Sequence, residues 1–116
     1  MSTVAEATEK TFDADVAKVD IPVLVAFCAG WSGRCQSLRT WLETVAVELD
    51  GVVKMVAVDV DASGGLGLRY RVVNVPTLVL FRNGVETLRV ETVLSLEALR
   101  STILPHLDVD YLNANS

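Results

Sequence analysis

The chemistry available to this chain is confined to a few residues. It holds two cysteines, Cys28 and Cys35, and one histidine, His106. Two thiols and one imidazole fall short of the four ligands a structural zinc site takes, so no metal is expected, and nothing calls for another cofactor. His106 stands beside Pro105 near the C-terminal end with no nucleophile placed near it, and reads as a solvated side chain rather than a general base. Hydrolysis by a serine–histidine pair drops out, which leaves sulfur. A cysteine in the first turn of a helix faces unpaired N–H groups and the positive end of the helix dipole, and both favour thiolate over thiol. An apolar run leads through Trp31-Ser32-Gly33-Arg34 into Cys35, and a helical pattern follows from Gly33, so this segment is such a helix start.

The elements that must hold these residues are clearly punctuated. Thr11 to Lys18 reads as a short helix with Thr11 as N-cap and Phe12, Val16 and Val19 at helical spacing. Ile21 to Cys28 is β-rich and apolar on both faces, as a central buried strand should be. From Gly33 to Asp50, Leu38, Trp41, Leu42, Val45, Ala46 and Leu49 form a helical stripe that Gly51 ends. Val52 to Val60 is a second buried strand, and Asp61 or Ser63 then caps a weak helical turn in which Gly64, Gly65 and Gly67 predict irregular backbone. Thr77 to Arg82 and Val85 to Val90 flank Asn83-Gly84, a strong hairpin signal. Ser95 caps a last helix with Leu96, Leu99, Ile103 and Leu104 on one face, stopped by Pro105. The fold class is α/β: one mixed sheet, parallel across the strand–helix–strand unit and antiparallel at the hairpin, with helices on both faces.

Composition bounds the rest. The 116 residues are 51% hydrophobic, enough for one domain with one core. Residues 1–105 are assigned to that domain and 106–116 to a C-terminal tail. The longest apolar run, Ile21 to Ala29, is shorter than the ~20 residues a bilayer crossing takes, so no membrane span is expected. The first ten residues lack a basic region followed by an apolar one, which points to a cytoplasmic chain without a secretory signal. A net charge of −5 does not provide the basic surface that phosphate backbones require, so nucleic acid is not an expected partner.

The run from Val23 through Trp31-Ser32-Gly33-Arg34-Cys35 closely resembles thioredoxin, whose buried strand enters W-C-G-P-C at the start of a helix. Val75-Pro76-Thr77 resembles that family's cis-proline motif and Phe81-Arg82-Asn83-Gly84 its hairpin, with Phe12-Asp13, Asp59, Asp61 and Tyr70 at matching spacing. The resemblance spans roughly residues 8 to 105 and implies the thioredoxin fold, with a cis Val75–Pro76 bond. It also implies a thiol–disulfide cycle in which the motif's first cysteine attacks a target disulfide and the second resolves the mixed disulfide.

The departures from that pattern fall on the chemistry. Ser32 occupies the attacking position, and a hydroxyl forms no disulfide and does not ionise usefully near neutral pH. The family's buried acid corresponds to Ala26 and the lysine near it to Val58. Arg34 replaces the motif's proline, and Thr92 replaces a groove glycine. Cys28 stands where thioredoxins usually carry tryptophan; strand alternation puts it on the Ala26 face, over which the family's second cysteine packs. There it is either a small buried hydrophobe or a disulfide partner for Cys35. The expected function is therefore binding of a protein partner, as an accessory, chaperone-like or scaffold protein, through Trp31, Ser32, Gly33, Arg34, Val75, Pro76 and Thr92. The alternative is a thiol–disulfide oxidoreductase that uses Cys35 alone or Cys28 with Cys35.

Overall fold

The structure is a computed structural model that describes residues 4–107. Five strands, β1 (Val4–Ala7), β2 (Val23–Cys28), β3 (Lys54–Asp59), β4 (Thr77–Arg82) and β5 (Val85–Val90), form one sheet in the order β1-β3-β2-β4-β5. β1, β3 and β2 run parallel, and β4 and β5 are antiparallel to their neighbours. The central strands are those whose sequences are apolar on both faces: every residue of β2 from Val23 to Phe27 is buried. At the hairpin, Asn83 and Gly84 take φ of 53° and 79°, the paired left-handed values a two-residue turn needs to match strand twist.

Two apolar cores cover the sheet, one on each face. On one side α1 (Gly33–Glu48) and α3 (Leu96–Ile103) bring Leu38, Leu42, Val45, Leu99 and Ile103 onto Leu24, Ala26, Met55, Ala57, Leu78 and Leu80. On the other, Phe12, Val16 and Leu66 pack on Val25, Phe27, Val56, Val58, Val79 and Phe81. Leu107 is buried in the first core, so packed chain continues past His106; residues 108–116, the rest of the expected tail, lie outside the described residues. Among the described residues no helix is long and apolar enough to cross a membrane.

Three local expectations need correction. The sheet has a strand, β1, where the sequence shows no strand pattern; Val-Ala-Glu-Ala is short, rich in weak β-formers and held at the edge by pairing to β3. The expected first helix is a π-helical turn over Asp13–Ala17, and Thr11 does not cap it: its Oγ1 accepts the backbone N–H of Thr8 at 2.9 Å. The glycine-rich segment forms a regular helix, α2 (Gly64–Arg69), because burial of Leu66 offsets poor propensity. Gly65 has a specific role there: its N–H donates to Glu9 Oε1 at 2.8 Å, and a Cβ would stand 2.7 Å from that oxygen.

Candidate functional site

The site forms where β2 ends and α1 begins. Ser32 is the N-cap of α1 in an extended conformation; its Oγ accepts the Cys35 N–H at 3.3 Å and its carbonyl accepts the Gln36 N–H at 3.2 Å. This is ordinary capping chemistry for a serine. It draws Ser32 inward to 8% exposure, while Trp31 projects with 74% of its surface exposed and Gly33 and Arg34 lie open to solvent. Cys35, in the first helical turn, is buried.

The resemblance-derived residues converge from other strands. Val75–Pro76 is cis, and Thr77 pairs with Phe27, so Pro76 lies at the end of the sheet where Cys28 closes β2. Leu78 pairs with Val90, which carries the exposed Thr92 to that same end, and Asn74 Nδ2 donates to Glu91 Oε2 across it at 3.4 Å. Thr77 Oγ1 donates to the Asn74 carbonyl at 2.6 Å and fixes the approach to Pro76. His106 is exposed in the turn that follows α3.

Strand alternation decides which residues stand behind Cys35. Ala26 pairs in register with Ala57 and shares its core, whereas Val58 belongs to the opposite core with Phe27. The position beside Ala26 is thus Ala57, not Val58 as the sequence comparison placed it; a slip of one residue in a strand exchanges its faces. Cys28 does lie on the Ala26 side, half-buried, lining the same cavity as Cys35, and both cysteines are free. Its pKa is pushed far above the ordinary thiol range, first by burial, then by its hydrogen bond to Cys35 and by the Cys35 charge. Arg39 opposes this shift and Glu6 adds to it.

Small side chains at positions 26, 28 and 57 leave space. A cavity of about 430 Å³ is lined by Ala26, Cys28, Cys35, Leu42 and Ala57, with Glu6, Gln36, Arg39 and Asp59 among its polar residues. Arg39 pairs with Glu6 across the gap from α1 to β1, Gln36 Nε2 donates to the Gly30 carbonyl at 3.3 Å, and Asp59 Oδ1 accepts the N–H groups of Asp61 and Ala62. None of these polar residues emerged from the sequence as part of a site. Arg39 was the accessible one, since it follows Cys35 by one helical turn; Glu6 was hidden with the unread strand β1. Among the described residues no group of acidic, histidine and cysteine side chains is arranged to hold a metal ion.

A family model for thioredoxin matches residues 3–104. The chain belongs to the thioredoxin family. It is 37% identical over 83 residues to thioredoxin C-2 of Corynebacterium nephridii, covering 72% of this chain and 77% of that one. Thioredoxin 1 of a Nostoc species is 32% identical over 107 residues, covering 92% of this chain and the whole of the relative. Thioredoxin 1 of Synechococcus elongatus is 34% identical over 110 residues with the same coverage of each. The observed sheet, cis-proline and helix-capped Trp31–Cys35 segment are thus those of a thioredoxin fold, with serine at position 32.

Proposed function

We propose that this thioredoxin-family chain binds a protein partner through its Trp31–Arg34 face and does not run a dithiol cycle through position 32. What carries the reading is Ser32 itself: its hydroxyl accepts the Cys35 N–H as a helix cap. A hydroxyl at neutral pH needs a general base to act as a nucleophile, and the chain's one histidine lies in the turn after α3. Trp31, Gly33, Arg34 and Thr92 are exposed beside half-buried Val75 and buried Pro76, a surface on which an extended segment of another protein can lie. The chain acts as an accessory, chaperone-like or scaffold protein, and two free thiols suit the reducing conditions of the cytoplasm. Insulin reduction driven by a small dithiol tests the reading. Turnover is expected orders of magnitude below that of a two-cysteine thioredoxin, and Ser32→Cys is expected to restore part of it, since Ala26 supplies no buried base. Wild-type turnover comparable to an ordinary thioredoxin overturns the proposal.

One observation favours a second reading, that of an oxidoreductase using Cys28 with Cys35: the two free cysteines line the same cavity. A free-thiol count before and after mild reduction separates the two readings.

A further inference from the structure

We propose that Cys28 and Cys35 form a dithiol that reduces small, amine-bearing disulfides entering through the cavity between β1, β3 and α1. This rests on the second reading above, in which the two thiols act together, and does not depend on the partner-binding one.

The cavity carries the inference. Both cysteines line it, and its volume of about 430 Å³ falls in the ~300–1,000 Å³ typical of small-molecule sites. Its walls at Ala26 and Ala57 are inert and too short to fill it. Cys35 is only 4% exposed, so a disulfide held in a folded protein has no path to it, whereas the cavity that Cys28 and Cys35 line has room for a small molecule. The polar residues set the charge that is admitted. Glu6 and Asp59 contribute two carboxylates against the single Arg39 guanidinium, which is already engaged by Glu6. An ammonium group is attracted there, and a carboxylate-bearing disulfide is repelled.

Position in the fold assigns their order. Cys35 sits in the first turn of α1, where the helix N-terminus favours an attacking sulfur, and Cys28 at the end of β2 resolves the mixed disulfide. Cys35 Sγ attacks one sulfur of RS–SR; that S–S bond breaks, a Cys35–S–S–R bond forms, and the departing RS⁻ takes up the Cys35 proton. Cys28 Sγ then attacks Cys35 Sγ, expels the second RS⁻ and transfers its own proton to it. One disulfide is broken and one is made between Cys28 and Cys35, two molecules of RSH are released, and two electrons pass from the protein to the small disulfide.

The test uses the full reduced chain, with intact-mass spectrometry to follow reaction with cystamine, uncharged bis(2-hydroxyethyl) disulfide or oxidised glutathione, and with thermal unfolding to verify that each variant is folded. The wild type is expected to lose the mass of two hydrogens and keep no adduct, Cys28→Ala to stop at one mixed disulfide, and Cys35→Ala to stay unmodified. Asp59→Asn retains an Oδ1 that can accept the Asp61 and Ala62 N–H groups. It should lower the cystamine-to-uncharged rate ratio about fivefold, the effect of one unit charge a few ångströms away across water. Oxidised glutathione should react slowest. If no probe forms the internal disulfide, this proposal and the second reading both fall. If all three form it and Asp59→Asn leaves the ratio unchanged, the amine preference is overturned while the dithiol reading stands.

Discussion

The two faces of the same pair of strands differ sharply. On one face of β2 and β3, Val25, Phe27, Val56 and Val58 pack under a ring cluster in which Phe12, Tyr70 and Phe81 lie with centroids 5.2–6.0 Å apart. On the other, one residue along each strand, Ala26, Cys28 and Ala57 leave a cavity of about 430 Å³ beside a second buried thiol. Protein interiors are otherwise packed as densely as organic crystals. The filled face holds the sheet together, and the face that forgoes dispersion contacts is the one where the two cysteines and solvent access coincide.

The sharpest break of this comparison removes a large aromatic side chain from the filled face. Phe27 is fully buried, with its ring tilted against Tyr70 at 5.9 Å. Phe27→Ala is expected to cost ~3–5 kcal/mol, read as a lowered midpoint in urea with an unchanged slope. A loss under 1.5 kcal/mol would mean that the filled face is no better packed than its counterpart.

The open face should respond to polarity more than to volume. Ala26→Asp is expected to destabilise at neutral pH by ~1–3 kcal/mol, as an unpaired polar group at this buried position would. Burial raises a carboxyl's pKa in the folded state above the unfolded value of ~4, so the unfolded chain ionises first. The destabilisation therefore grows as pH rises above about 4, and below it only the cost of burying the neutral carboxyl remains. A variant as stable as wild type at pH 7 would show that the cavity solvates a charge.

How much of this was legible in the sequence depends on the scale of the signal. Strands β2 to β5, α1 and α3 carry their own patterns: unbroken apolar runs, Asn83-Gly84, and a serine before each of the two long helices. β1 did not, because an edge strand of Val-Ala-Glu-Ala is defined by the neighbour it pairs with. α2 formed against its glycines because tertiary burial outweighs propensity. The Ala57/Val58 offset shows the finest limit, since one residue of register decides which face a side chain joins. The cavity had no sequence signature at all. It is the joint absence of volume at positions 26, 28 and 57, read only when β2 and β3 are aligned under α1.

Two helix caps allow a finer comparison within the open face. Ser95 Oγ accepts the Ala98 N–H at 3.0 Å, and Ser32 Oγ accepts the Cys35 N–H at 3.3 Å. Were both merely structural, Ser32→Ala and Ser95→Ala should each cost about 1 kcal/mol in chemical denaturation. The longer Ser32 bond predicts the smaller loss of the two. A loss at Ser32 well above that at Ser95 would show that it supports more than the first turn of α1.

The smallest expected effect concerns proton uptake by Cys28, and its sign follows from the environment already described. Burial first, and then the neighbouring Cys35, raise the folded-state pKa of this thiol from its ordinary value of 9.0. Below pH 9 the thiol is protonated in both folded and unfolded chains, and the hydrogen-bonded folded form is fully favoured. Above pH 9 the unfolded chain releases the proton while the folded chain retains it, so stability falls as pH rises. The loss between pH 9 and pH 10 is ~1 kcal/mol, the work of one proton retained over that interval. Cys28→Ala should remove this alkaline slope while leaving the slope from the remaining groups intact, which separates Cys28 from the tyrosines and lysines that also titrate at high pH. Equilibrium urea unfolding of both proteins at pH 8, 9 and 10, under reducing conditions, measures the difference. Parallel pH profiles would mean that Cys28 ionises as readily in the folded chain as in the unfolded one, and that the cavity is wetter than the packing around it requires.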